Sequence, residues 1–107
     1  GAYFTAQKFV PILKNPSTST VYGGANALVF YQVAADPISF VTGNAGTPQL
    51  FISGGGLVGI KTATPTSDLD VNGSTRLRGE LKDNVGSSGV DGQVLKKVGG
   101  LVLWSNP

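Results

Sequence analysis

From Asp68 to Lys82 the chain alternates without a break. Odd positions are apolar or small (Leu69, Val71, Gly73, Thr75, Leu77, Gly79, Leu81), and even positions are polar (Asp68, Asp70, Asn72, Ser74, Arg76, Arg78, Glu80, Lys82). A helix would scatter both sets around its circumference, whereas an extended chain puts one set on a core and the other in water. The stretch therefore predicts β-structure and leaves two forms open. A two-residue turn at Asn72-Gly73 is the usual reading of that dipeptide, but it sets Leu69 against Arg76 and mixes the faces. A three-residue loop at Asn72 to Ser74 keeps them apart, with Leu69 opposite Leu77, and Asp70 and Asp68 opposite Arg76 and Arg78, pairs of opposite charge. One strand running straight through is the other form.

The rest of the chain points the same way. No window carries apolar residues at helical spacing for more than about two turns, and short β-type segments recur between turn signals. Tyr3 to Val10 is the first, ended by Pro11, with a loop at Asn15 to Thr20. Ala27 to Val33 is almost continuously apolar, which predicts a strand with both faces against protein. Asp36-Pro37 interrupts it, Ile38 to Thr42 resumes, and Gly43 to Pro48 turns the chain into Leu50-Phe51-Ile52. Three glycines lead to Leu57 to Ile60. Near the C-terminus, Gln93 to Val98 and Leu101 to Trp104 flank Gly99-Gly100, a pair suited to a primed hairpin turn. That register sets Val98 opposite Leu101 and Leu95 opposite Trp104. Sixteen glycines and six prolines in 107 residues suit a fold with many turns, and the length suits one ordinary domain.

Composition limits the chemistry. Cysteine, histidine and methionine are absent, which removes disulfides, thiolate metal sites and the commonest general base and metal ligand. The net charge of +2 is a small surplus, not a field that would capture nucleic acid. No apolar run approaches the roughly 18 residues of a membrane-spanning helix, so no membrane insertion is expected. Neither a cofactor nor a metal is expected, and the chain does not read as an enzyme.

Several motifs bear on the chemistry that remains. Gly54-x-Gly56-x-x-Gly59 matches the dinucleotide fingerprint in spacing, but that mechanism needs a following helix, and Ile60, Thr62, Thr64 and Pro65 oppose one. A P-loop fails because Ile60 separates Gly59 from Lys61-Thr62. Asp68-x-Asp70-x-Asn72-Gly73 resembles the start of a calcium loop, yet its twelfth position is Gly79, with Glu80 one residue late. Serines are plentiful but have no histidine to activate them, and paired carboxylates for glycan hydrolysis are poorly supplied among six acids. Asn72-Gly73-Ser74 is a formal glycosylation sequon. Lys96-Lys97 and Arg76 with Arg78 read as solvated edges or as contacts to an anionic glycan. Tyr3, Phe4, Tyr22, Phe30, Tyr31 and Phe40 read as core or as sugar-stacking rings. No residue is nominated as catalytic, metal-binding or receptor-binding.

The second half carries a resemblance. Val58-Gly59-Ile60-Lys61-Thr62-Ala63-Thr64-Pro65, followed by Leu69-Asp70-Val71-Asn72-Gly73, resembles the V-G-I-G-T-x-x-P…L-D-V-N-G signature of bacteriophage tail-fibre and tail-spike proteins, cyanophage ones especially, and of some bacterial surface proteins. Gly89 to Trp104, with Gly92-Gln93-Val94-Leu95 and the closing Trp104, is similar to the G-x-x-G-Q-V-L…W element that often follows it. Lys61 stands where the family usually has glycine, which puts the turn geometry there in question. The self-cleaving chaperone domain of some such fibres has no counterpart here, so a fibre segment, or a fibre without that domain, is expected.

The resemblance implies an intertwined or threefold-packed fibrous β homotrimer, with residues 1–53 as an N-terminal β region forming a knob or packed domain and residues 54–107 as a fibre-like stalk ending in a hairpin. A monomeric β-sandwich is the plainer alternative. The expected function is a structural part of a virion tail fibre, acting in host attachment or as a stiff extension. Its expected partners are copies of itself, other virion proteins and a host-surface glycan or protein. A head or neck decoration protein and a bacterial adhesin repeat are the other readings.

Overall fold

The computed structural model describes residues 12–14, 22–32, 34–43 and 46–107, with the backbone alone for 12–14. The expected strand at Tyr3 to Val10 and loop at Asn15 to Thr20 lie outside them. The described residues are all-β: eight short strands in three sheets, with no helix among them. The chain separates into two compact units, Gly1–Ser74 and Thr75–Pro107; the boundary expected at 53/54 lies in a turn inside the first.

In the first unit, β1 (Ile12–Lys14) pairs antiparallel with β2 (Leu28–Phe30). Among the described residues of Ala27 to Val33, only those three residues of β2 form a strand. Val29 is buried while Leu28 and Phe30 stay exposed, so the expectation that both faces meet protein does not hold within one chain. The second sheet has the order β3 (Ile38–Phe40), β4 (Leu50–Ile52), β5 (Val58–Ile60), β6 (Leu69–Val71). Its first two pairings are antiparallel and the last is parallel.

Local chemistry fixes each connection. After β3 the Gln49 side chain stands in for one more ladder residue: its Oε1 accepts from the Thr42 amide (2.6 Å), and its Nε2 donates to the Thr42 carbonyl (3.1 Å). Between β4 and β5 the Ser53 amide donates to the Leu57 carbonyl (2.9 Å), and the Leu57 amide donates to Ser53 Oγ (3.0 Å). The parallel step from β5 to β6 is short for such a crossover. It suffices because a three-residue strand is only about 10 Å long. Thr62 Oγ1 accepts from the Thr64 amide (3.1 Å), and Asp70 Oδ2 accepts from the amide and hydroxyl of Thr66 (3.0 and 3.2 Å).

The alternation from Asp68 to Lys82 yields a strand only at Leu69–Val71, so neither the three-residue-loop hairpin nor the single long strand forms. The cause is the partner strand. Lys61 leaves β5 in the left-handed region (φ 58°), and Asn72 then bonds back to it, its amide to the Ile60 carbonyl (2.9 Å) and its Nδ2 to the Lys61 carbonyl (3.1 Å). Beyond Val71 no ladder is left to satisfy backbone groups, and alternation without a partner does not hold a strand. The single ion pair among the described residues joins Lys82 to Glu80 (2.6 Å) on an exposed surface, where such pairs contribute little.

In the second unit, β7 (Val94–Val98) and β8 (Leu101–Ser105) form the hairpin in the register read from the sequence, with Leu95 opposite Trp104 and Val98 opposite Leu101. Gly99 and Gly100 both have positive φ, 57° and 84°, as a type I′ turn requires.

Candidate functional site: apolar faces and a clasped hairpin

In a three-residue strand the first and third side chains share a face and the second takes the other. The registers of the four-stranded sheet therefore gather Ile38, Phe40, Leu50, Ile52, Val58, Ile60, Leu69 and Val71 on one side. Ser39, Phe51, Gly59 and Asp70 take the other. The first set is apolar without exception, yet none of its members is buried. Across all the described residues only Val29, Pro48 and Gly59 are buried. Phe30 meets Phe40 edge to face, with ring centroids 6.3 Å apart, and both rings remain open to solvent.

The hairpin is built around two side chains that the sequence reading did not single out as partners. Asp83 Oδ1 accepts from the amides of Val85 (3.0 Å) and Ser87 (2.9 Å), and its Oδ2 accepts from the Trp104 amide (3.0 Å). Trp104 in turn donates its ring Nε1–H to the Leu81 carbonyl (2.9 Å), and the Asn84 amide donates to the Val102 carbonyl (3.0 Å). In this register the outward-facing groups of β8 belong to Val102 and Trp104, and the Asn84 amide and the Asp83 carboxylate engage that edge. The backbone bond from Trp104 is the largest influence and holds the Asp83 carboxyl below its ordinary value; desolvation opposes it, and the bonds from Ser87, Val85 and Gly86 add to the lowering. Gly89 lies against the indole: a Cβ added there would sit 2.8 Å from Trp104 Cγ, and its φ of 74° is itself a glycine conformation. The opposite edge strand, β7, carries Lys96 and Lys97, and lysine on an open edge discourages indiscriminate strand pairing. Even so, no residue of the 75–107 unit is buried.

The motifs weighed from the sequence take structural places. Gly54 lets the backbone pass the Ala35 carbonyl, which a Cβ would meet at 1.8 Å; Gly56 turns the β4–β5 loop at φ 89°; Gly59 sits in β5, where a Cβ would meet the Thr62 carbonyl oxygen at 2.4 Å. A strand follows these glycines, so no helix terminus is available for a pyrophosphate. Asp70 is engaged by Thr66, and no group of three or more acidic side chains that could hold a metal ion occurs among the described residues. Arg76 and Arg78 are exposed beyond β6. Tyr22 packs on Tyr31 with centroids 4.8 Å apart, while Tyr3 and Phe4 lie outside the described residues.

The signature-bearing segment is itself a unit. Val58-Gly59-Ile60 is β5, Lys61 supplies the left-handed exit, Thr62 to Asp68 form the return, and Leu69-Asp70-Val71 is the parallel partner locked by Asn72. Comparison with protein families, curated proteins and solved structures finds no match to this chain.

Proposed function

We propose that this chain is a structural segment of a homotrimeric phage tail fibre, serving host attachment or extension of the fibre, with other virion proteins and a host-surface glycan or protein as its further partners. The reading rests on one observation above all: eight apolar side chains share one face of the β3–β6 sheet, and none of them is buried. Fully covering an aliphatic or aromatic side chain contributes about 1.5–3 kcal/mol. With part of each surface still open, the eight leave of the order of 5 kcal/mol per chain to be gained by covering them. That is comparable to the whole stability of a small domain, about 5–15 kcal/mol. Association of identical chains would cover such faces and protect the sheet edges as well.

Sedimentation equilibrium at micromolar concentration tests it. The expected mass is about three times the 10.9 kDa of one chain. A stable, fully folded monomer at that concentration would sink the reading, because its open faces would then need no partner.

A further inference from the structure

Lys61 is an unusual residue to find at φ 58°. Outside glycine, the left-handed region is populated mainly by asparagine and aspartate, and a long side chain held there signals a constraint or a use. The Lys61 stem runs past Gly73, whose added Cβ would lie 3.9 Å from Lys61 Cδ. The residue lines an open cleft of about 320 Å³ together with Thr47, Pro48, Gln49 and Asn72. That volume lies at the small end of ligand pockets.

The hydrogen-bonding state of these groups defines what the cleft can accept. Gln49 spends its Oε1 and one Nε2 proton on the Thr42 backbone, which leaves one Nε2 proton. Asn72 spends one Nδ2 proton on the Lys61 carbonyl, which leaves its second proton and its Oδ1 for a ligand. Thr47 adds a hydroxyl, and Pro48 adds an apolar wall. The Lys61 ammonium has no carboxylate within ion-pairing distance among the described residues. One cation, one hydroxyl and one half-used carboxamide beside a proline ring match a ligand with a single negative charge and several hydroxyls. A phosphate would bring up to about two negative charges to this one cation.

We propose that this cleft is a subsite for a carboxylate-bearing sugar unit, with Lys61 holding the carboxylate, and Thr47 and Asn72 the ring hydroxyls. The site lies within one chain and does not depend on how many copies associate.

The test is titration of the full chain, followed by its amide NMR signals, with sodium glucuronate, glucose and acetate at equal ionic strength. Glucuronate is expected to shift the Gln49, Lys61 and Asn72 signals saturably at millimolar concentration, with glucose and acetate each binding about tenfold more weakly or less. Lys61→Gly should abolish the glucuronate response while raising the unfolding midpoint, because glycine relieves the left-handed strain. Lys61→Gln, which keeps a side chain but not the charge, should lose binding without that gain. The proposal is overturned if glucuronate causes no saturable shift, if acetate or glucose binds equally well, or if either variant binds like the parent.

Discussion

Three residues sit where their side chains, or the lack of one, decide the local structure. At Lys61 the left-handed backbone costs an L-residue about 1–2 kcal/mol; glycine would escape that cost but forfeit part of the gain to its greater freedom when unfolded. Lys61→Gly should therefore stabilise the chain by about 0.5–1 kcal/mol in urea unfolding, and a loss of stability would show that the lysine stem packs more usefully than its geometry suggests. Gly89 is the opposite case. Alanine there would bring Cβ within 3.0 Å of the Trp104 ring at positive φ, so Gly89→Ala should destabilise the hairpin unit by about 1–3 kcal/mol. The sole tryptophan reports it as a shift in emission and an earlier unfolding transition.

Asp83 accepts three backbone bonds as a carboxylate, so its folded-state proton affinity is lowered, with the Trp104 bond the largest cause. A group depressed on folding contributes stability that is fully present above its unfolded value of about 3.9. That stability is lost as pH falls through the lower folded value. Acid titration followed by Trp104 fluorescence should show the clasp releasing below about pH 4. Asp83→Asn should remove this pH dependence while lowering stability at neutral pH. An unchanged acid transition in Asp83→Asn would mean that another group controls it.

At the scale of elements, the register of the β7–β8 hairpin was legible, with its outer strand ends one residue off, because its determinants are local. Gly-Gly supplies two positive φ angles, and the two-residue loop fixes the register for every pair behind it. Gly99 at φ 57° is a position that asparagine also tolerates, whereas a β-branched residue does not. Gly99→Asn should leave the hairpin intact, and Gly99→Val should destabilise it by about 1–2 kcal/mol in the same tryptophan-monitored unfolding. The strands β3, β4 and β5 were likewise visible as short apolar runs between turns. The extent of β6 was not. Its alternation continues to Lys82, but a strand needs a partner to satisfy its amides, and that partner ends at Ile60 because Lys61 turns away. Both forms that the alternation left open, the hairpin with a loop at Asn72 to Ser74 and the single long strand, lost to a parallel pairing of β6 with β5, which no pattern within residues 68–82 could reveal.

At the scale of the whole molecule the deciding quantity is how little of their apolar surface the described residues have covered. The proposed association makes Ile52 and Val58, opposite each other on the apolar face, sensitive positions. Val58→Lys, alone or with Ile52→Lys, should shift the sedimenting species towards the single-chain mass and lower the unfolding midpoint, since a charge cannot be buried there without a partner. A trimer that tolerates both charges would place the contact on another face. The Gly89→Ala and Asp83→Asn outcomes belong to the hairpin unit alone and hold whether or not the chains associate.

Short-range information was enough to establish the all-β character, the glycine-set turns, the terminal hairpin with its pairing, and the lack of a helix behind the Gly54, Gly56 and Gly59 spacing. Each of these follows from backbone sterics or side-chain period within a few residues. Tertiary structure alone decided that the V-G-I and L-D-V segments lie parallel, that Asp83 reaches Trp104 across 21 positions, and that Lys61 faces Thr47 and Asn72 across a cleft. Those contacts join residues far apart in the chain, and which of several acceptable long-range partners is chosen depends on the competing pairings of the whole sheet, which no local pattern encodes.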